Sequence, residues 1–261
     1  MRSFASDNNS GVHPLVMDAL QRANEDHALG YGSDKWTDEA VAMLKESFTP
    51  ACESLFVFNG TGSNIVALQL MVRPFHSIIC AETAHIYVDE CGSPVKNTGA
   101  QIRPVLTPDG KLTPELIRPY LHGFGDQHHS QPGAIYLSQC TELGTVYTPV
   151  ELKALTSLAH EHGMYVHMDG ARIANACAYL KTSLKEITAD CGIDVLSFGG
   201  TKNGLMMGEC VVIFNEELKA SAAFVRKQSA QLASKMRYLS CQFTAYLTDH
   251  LWLKNAEHAN A

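Results

Sequence analysis

Ser197-Phe198-Gly199-Gly200-Thr201-Lys202-Asn203-Gly204 is the stretch of this chain that decides the fold. It follows the apolar run 193–196, a pattern typical of a buried strand, so Lys202 is expected just beyond a strand end. The flanking glycines allow a sharp turn and leave room for a flat ligand beside the lysine. Such a lysine is suited to forming a Schiff base with an aldehyde cofactor when its surroundings favour the neutral amine. Taken alone, the stretch fits a surface lysine in a glycine-rich turn better than a cofactor site.

A second segment changes that balance: Tyr165-Val166-His167-Met168-Asp169-Gly170-Ala171-Arg172. Here another strand ends in a carboxylate, and an arginine follows. Lys202 comes 33 positions after Asp169 (202 − 169), about the length of one strand-helix-strand unit. In an open parallel sheet the ends of successive strands meet at one edge, where ligands bind. A carboxylate there can keep a pyridine nitrogen protonated, which makes the ring an electron sink.

A third segment resembles a phosphate site: Phe56-Val57-Phe58-Asn59-Gly60-Thr61-Gly62-Ser63-Asn64. A strand runs into a helix start, where free N–H groups, hydroxyls and the helix dipole favour an anion. The expected contacts come from Gly60, Thr61, Gly62 and Asn64. Together with Lys202 and Asp169, this segment predicts pyridoxal 5'-phosphate as the cofactor. Because neither a Walker loop nor the dinucleotide fingerprint is present, a dehydrogenase is disfavoured.

Composition narrows the class of protein. A chain of 261 residues is long enough to bury one large core, and 46% hydrophobic with 18% charged residues is typical of a soluble globular protein. The net charge of −7 argues against nucleic acid or anionic membrane as a partner. Eight cysteines without a CxxC motif indicate free thiols in a reducing compartment. Because the N-terminus also lacks the apolar core of a signal peptide, we expect a cytoplasmic protein.

Strand and helix patterns alternate along the chain. Apolar runs predict strands at 55–58, 77–80, 101–105, 134–138, 165–168, 194–198 and 210–214. Helical patterns begin at Pro14 and cover 37–48, the residues after a turn at 60–64, 114–121, about 149–162, 183–187 and the chain from 216 onward. This alternation predicts an α/β fold with a mostly parallel seven-stranded sheet covered by helices.

With these motifs in place, the chain resembles the threonine aldolase / β-eliminating lyase family of fold type I pyridoxal-phosphate enzymes. The most specific matches are His-x-Asp-Gly-Ala-Arg at 167–172 and Ser-Phe-Gly-Gly-Thr-Lys at 197–202, and the resemblance runs from Ser6 to about Tyr246. It implies an N-terminal segment 1–13 that reaches the active site, a cofactor-binding large domain 14–250 and a truncated start of a C-terminal region, 251–261. It also implies a homodimer or homotetramer with shared active sites and a small amino-acid substrate.

The resemblance assigns roles to individual residues. His85 lies in the segment whose histidine stacks on the cofactor ring in the family. Arg172 is expected to bind the cofactor's phenolate oxygen or the substrate carboxylate. Further implied contacts are Ser6 on the substrate carboxylate, Tyr31 in a loop that reaches a neighbouring subunit's site, and Lys227 and Arg237 on the phosphate across a dimer interface.

The chain departs from the family pattern in three places. Glu142 stands where a well-known branch of threonine aldolases has an active-site histidine. The chain stops at Ala261, before the small C-terminal domain that carries the family's carboxylate-clamping arginine, so this domain is expected to be largely missing. The family's glycine-rich segment between the late lysine and arginine corresponds here to 229–234, Ser-Ala-Gln-Leu-Ala-Ser.

The implied reaction is the retro-aldol cleavage of L-threonine, L-allo-threonine or a related β-hydroxy amino acid to glycine and an aldehyde. A base must take the hydroxyl proton, and the candidates are His85, Glu142 and one of His128 or His129, with His85 favoured. Each also fits an ordinary loop residue, and no metal site is expected from the histidine pairs. The alternatives are β-elimination on the same cofactor and a truncated cofactor-binding chain with little activity.

Overall fold

The computed structural model describes residue 3 and residues 5–261. Its seven strands form one sheet in the order β1-β7-β6-β5-β4-β2-β3. The strands are β1 Glu53–Val57, β2 His76–Ala81, β3 Gln101–Val105, β4 Gln131–Ser138, β5 Tyr165–Gly170, β6 Val195–Phe198 and β7 Glu209–Ile213. Strands β3, β2, β4, β5 and β6 are mutually parallel, and β7 is antiparallel to both β6 and β1. The predicted seven-stranded, mostly parallel sheet is therefore confirmed.

Helices cover the sheet. They are α1 Pro14–Ala23, α2 Lys35–Ser47, α3 Gly60–Met71, α4 His85–Val88, α5 Ser93–Thr98, α6 Pro114–Ile117, α7 Pro149–Glu161, α8 Ile173–Leu180, α9 Glu216–Gln228, α10 Arg237–Leu247 and α11 Leu251–Asn260. The Thr148 hydroxyl and the Glu151 carboxylate form a reciprocal capping box that starts α7. None of the described helices is both long and apolar enough to cross a membrane.

Three helix predictions need correction. Residues 183–187 form turns rather than a short helix, because the Glu186 carboxylate accepts the Ser183 N–H and hydroxyl and closes a local turn. The predicted turn at 60–64 is already the first turn of α3, which Asn59 caps through the Gly62 N–H. The helical pattern after 216 is three helices, since Ala230 and Asp249 adopt positive φ angles where the chain turns.

Each face of the sheet carries its own apolar core. On one face Phe198, Phe243 and Trp252 pack with other buried side chains, and on the opposite face Val57, Leu68 and further residues pack beneath α3 and α9. This double burial explains the continuous apolar strands. It also fixes the register in which Ser138, Asp169 and Ser197 lie side by side at the ends of β4, β5 and β6.

Candidate active site

A cavity of about 380 Å³ opens at the carboxyl ends of β4, β5 and β6, beside the N-terminus of α3. This is the edge at which open α/β sheets bind ligands. Eight of the residues singled out in the sequence line it together: Gly60, Thr61, Asn64, His85, Glu142, Asp169, Arg172 and Lys202. Asn8, Ser138, Cys140 and Glu209 line it as well. Segments far apart in the sequence thus meet in one concave site.

Lys202 sits on a tight 3₁₀ turn, Thr201–Asn203, that follows β6. The turn can lie against the end of β5 because position 199 is a glycine: a Cβ there would come within 2.6 Å of the Ala171 backbone. On its other side, the Asn203 side chain donates hydrogen bonds to the Tyr246 hydroxyl (2.7 Å) and to the Trp252 carbonyl (2.8 Å). The backbone that carries the amine is therefore held from both sides.

Asp169 is a buried carboxylate, 8% exposed, with three hydrogen-bond donors. The Tyr136 hydroxyl lies 2.6 Å from Oδ2, the Asn64 amide 3.0 Å from Oδ2, and the Ala171 N–H 2.9 Å from Oδ1. Burial raises the pKa of Asp169, but the hydrogen bonds from Tyr136, Asn64 and the Ala171 N–H together lower it by more. The net pKa is therefore below its usual value. At neutral pH this site therefore presents a fixed negative charge.

Asn64 joins this carboxylate to a second buried acid. Its amide nitrogen also lies 2.8 Å from Glu90 Oε1, while its oxygen accepts the Ser197 hydroxyl at 3.0 Å. The same Glu90 oxygen lies 2.9 Å from Nδ1 of His85. One amide thus connects the ring of His85 to the carboxylate of Asp169.

Replacing Asn64 by alanine is expected to lower the free energy of unfolding by about 2–4 kcal/mol, because both buried carboxylates lose a donor. Urea unfolding of the cofactor-free protein at a fixed concentration measures this. Asn97→Ala is the matched control, since Asn97 is exposed and its amide bonds only the Ser93 carbonyl of its own helix. Equal losses in the two variants would contradict the bridging role of Asn64.

His85 is held from its backbone as well as from its ring. Its N–H donates to Glu142 Oε1 at 2.9 Å, and the same oxygen accepts the Ser138 hydroxyl at 2.6 Å. The hydrogen bond with Glu90 raises the pKa of His85 above 6.5, more than burial lowers it. With Nδ1 bonded to Glu90, Nε2 is the ring nitrogen left to act as a base.

Glu90→Gln is expected to bring the pKa of His85 down, because the negative charge that favours the imidazolium is removed while burial remains. In the wild type this ion pair stabilises the fold below pH 6.5 and its contribution is lost as the pH rises through the raised pKa. The Cε1 proton shift of His85 followed by NMR measures the change. His160, whose pKa is raised by Asp194, is the internal control and should titrate identically in both proteins.

Arg172 is engaged by the N-terminal segment. Its Nε and Nη2 donate to the two oxygens of Asp7, at 2.6 and 3.1 Å. Ser6 caps the short turn Asp7–Asn9, accepting the Asn8 N–H, and Asn8 reaches the cavity wall. Residues 6–9 are thereby fixed beside the cavity by a two-pronged ion pair.

Other predicted residues lie away from this cavity in the described chain. The Lys227 amine sits 5.7 Å above the exposed Tyr31 ring. Arg237 donates to the carbonyls of Glu25 and Asp26. Gly62 is buried inside α3, against the Gln231 side chain. His128 and His129 are exposed in the loop before β4.

Three residues in or next to the site were not predicted as site residues: Tyr136, Asp7 and Glu209. Tyr136 reads as an ordinary strand residue, and only the register of β4 with β5 shows that its hydroxyl reaches Asp169. Two others carry a usable signal. Asp7 stands next to Ser6 in the segment that resembles the family, and Glu209 is an acid at the start of the otherwise apolar strand β7. A charged residue that begins a buried strand commonly has a functional partner.

Comparisons with known proteins agree with this geometry. The profile of a family described as beta-eliminating lyase matches residues 3–261. The chain is 45% identical over 260 residues to the low specificity L-threonine aldolase of Pseudomonas aeruginosa. The aligned region covers 99% of this chain and 75% of that protein. It superposes on a threonine aldolase from Leishmania major with a TM-score of 0.94 at 33% identity, over 100% of this chain and 76% of that one.

A more distant structure, an aspartate aminotransferase from Thermus thermophilus with maleate, shares the fold with a TM-score of 0.72 at 16% identity, over 97% of this chain and 66% of that one. The sheet order, the site at its carboxyl edge and these superpositions define a fold type I enzyme. Within that class, the chain belongs to the beta-eliminating lyase family.

Proposed function

We propose that this enzyme is a pyridoxal 5'-phosphate-dependent aldehyde-lyase that cleaves L-threonine, L-allo-threonine or a related β-hydroxy amino acid to glycine and an aldehyde. The observation that carries the proposal is a single cavity shared by the Lys202 amine, the ionised Asp169 carboxylate and the N-terminus of α3. The names of the similar proteins from Pseudomonas aeruginosa and Leishmania major support the same activity.

The residues present fit this cofactor. The cavity volume of about 380 Å³ is within the range of small-ligand sites. Nothing lies within 4 Å of the position that a Cβ on Gly60 would occupy, so the first turn of α3 is open to a phosphate group. Asp169 is a buried anion whose donors are all neutral groups. A protonated pyridine nitrogen is the cationic partner that such a carboxylate lacks.

When bound, the cofactor supplies an electron sink for the bond that breaks at the substrate's α-carbon. Lys202 provides the amine that holds its aldehyde, and Asp169 keeps the ring nitrogen protonated. Gly60, Thr61 and Thr201 offer N–H groups and hydroxyls to the phosphate. Three donors already hold the Asp169 carboxylate, so that it needs little reorganisation during the reaction.

His85 is the base that we assign to the substrate's β-hydroxyl. Its ring is oriented through Nδ1 by Glu90, its pKa is raised, and it lines the cavity. As the Cα–Cβ bond breaks, Nε2 takes the hydroxyl proton and the oxygen becomes the aldehyde carbonyl. One oxygen of Glu142 already holds the His85 N–H and the Ser138 hydroxyl, so we assign Glu142 to positioning His85.

Arg172 completes the site as a cation at the cavity wall. We assign it to the substrate carboxylate or the cofactor's phenolate oxygen, with Asp7 holding its guanidinium in place. Ser6 is proposed to contact the substrate carboxylate, and Tyr31, Lys227 and Arg237 are proposed to serve the site across an interface with a second copy of the chain. With this function we also propose a cytoplasmic location. We further propose that the chain divides into an N-terminal segment, 1–13, a cofactor-binding domain, 14–250, and the start of a C-terminal region, 251–261.

The test is product analysis with purified, cofactor-loaded protein. Retro-aldol cleavage of L-threonine gives acetaldehyde and glycine in equal amounts, whereas β-elimination gives 2-oxobutanoate and ammonia. Acetaldehyde is followed by NADH oxidation with alcohol dehydrogenase, and glycine by amino-acid analysis. Acetaldehyde with matching glycine supports the proposal. 2-Oxobutanoate as the main product, or cofactor binding without either product, contradicts it.

A further inference from the structure

Glu209 is a buried acid that the mechanism above does not use. It begins β7 directly opposite Val57 of β1, three residues before Gly60. Its neighbours along the same strand face, Val211 and Ile213, belong to the core beneath α3. Glu209 therefore faces α3, and it lines the cavity together with Gly60, Thr61 and Thr201. These are the residues proposed to receive the phosphate.

The contacts of Glu209 tie it to the turn that carries Lys202. The Gly200 N–H donates to Oε2 at 2.6 Å, and the residue is 7% exposed. Burial raises the pKa of Glu209, hydrogen bonds with Gly200 and Thr201 lower it, the charge of Asp169 raises it, and the net pKa is about 7.

Titratable groups approach Glu209 from some of its neighbouring elements and not from others. Strand β5 contributes Asp169, the turn after β6 contributes Lys202, and α10 contributes the neutral Tyr246 hydroxyl. Helix α3 has no titratable side chain, and β1 places Val57 opposite. The cavity is also lined by Glu142, His85 and Arg172, and Arg172 is paired with Asp7.

The cations that one copy of the described chain brings to the cavity are a poor match for a phosphate dianion. They are Lys202, whose amine the cofactor's aldehyde would take, and Arg172, which is paired with Asp7. An ionised Glu209 would then face the phosphate as a like charge in a partly dehydrated site. Such a conflict is relieved when the acid takes a proton.

We propose that Glu209 is a proton-carrying residue of the phosphate subsite: it takes one proton from solvent when the phosphate group enters and then donates a hydrogen bond to a phosphate oxygen. Oε2 keeps the Gly200 N–H as its donor, and the new proton resides on Oε1. No other bond changes. This inference rests on the proposed cofactor and adds a role for Glu209 in holding it.

A defined pH dependence of binding follows. Below pH 7 the free protein already carries the proton, so affinity is independent of this group. Above pH 7 each bound phosphate requires one proton, and the dissociation constant rises about tenfold per pH unit. The affinity falls as the pH rises because the bound phosphate favours the protonated form of Glu209 and so raises its pKa.

The experiment uses 4-deoxypyridoxine 5'-phosphate, which carries the ring and phosphate but no aldehyde and so excludes chemistry at Lys202. Its dissociation constant is measured by calorimetry from pH 6.5 to 9. Between pH 7.5 and 8.5 we expect a nearly tenfold rise for the wild type and less than twofold for Glu209→Gln, whose amide imitates the neutral acid. Glu46→Gln, which removes an exposed carboxylate of α2 outside the cavity, is the matched control and should retain the wild-type dependence. Identical profiles for the wild type and Glu209→Gln overturn the inference.

Proton counting in the wild type gives a second measurement that needs no variant. Titrations at pH 8 in two buffers of different ionisation enthalpy should show close to one proton taken up per phosphate bound, and no uptake overturns the inference. Failure of the proposed function looks different. If the wild type binds neither this analogue nor the cofactor at any pH, the cofactor site itself is wrong and the role of Glu209 falls with it.

Discussion

Replacing Lys202 by alanine is expected to lower kcat/KM for cleavage of β-hydroxy amino acids by about 10⁴-fold or more. Among the described residues, Lys202 is the one lysine that lines the cavity, and the turn that carries it is fixed by Asn203 and by the close approach at Gly199. The covalent attachment of the cofactor should therefore disappear together with the activity.

Two measurements on the same samples separate loss of chemistry from loss of folding. After borohydride treatment, the wild type should gain the mass of the reduced cofactor, and Lys202→Ala should gain none. Lys153→Ala is the matched control, because Lys153 is an exposed lysine of α7. It should keep both the mass gain and the activity. A Lys202→Ala protein that is still labelled at wild-type level would show that another lysine holds the cofactor.

The sequence was sufficient for the strands and for the residues that lie at their ends. Continuous apolar runs predict buried parallel strands, and a glycine-flanked lysine with an upstream carboxylate predicts which strand ends meet. Such local signals predict all seven strands. They also predict that Lys202, Asp169 and Asn64 meet at one edge of the sheet, as they do. Helix boundaries were less predictable where side chains compete for backbone groups, as Glu186 does at Ser183.

What lay beyond the sequence is the set of pairings made across the sheet. Asn64 donating to both Glu90 and Asp169 depends on the angle at which α3 crosses β5, and no spacing in the chain encodes that angle. The same holds for the Asp7 carboxylate on Arg172, 165 residues apart in sequence. Both cases concern how charge is compensated in the site. Such compensation is a property of the assembled fold, since it depends on burial as much as on distance.

Replacing Asp169 by asparagine is expected to lower kcat by about 10²–10³-fold, with a smaller effect on substrate KM. The amide fills the same volume, and its oxygen can still accept the Ala171 N–H, while its NH2 group replaces the oxygen that accepts the Tyr136 hydroxyl. What it removes is the negative charge that favours a protonated ring nitrogen. Without that proton the ring withdraws fewer electrons from the breaking bond. Steady-state kinetics of the cofactor-loaded variant measure the loss.

A cofactor methylated at the ring nitrogen distinguishes this electrostatic role from a structural one. Its nitrogen is permanently positive, so Asp169→Asn should recover a large part of its kcat with this analogue while the wild type should gain nothing. Tyr136→Phe is the matched control: it removes one donor to Asp169 and leaves the charge, so its activity should fall far less and should not respond to the analogue. If the analogue fails to raise the activity of Asp169→Asn, then the carboxylate acts by holding Asn64 and Tyr136 in place. In that case its charge is not what drives the reaction.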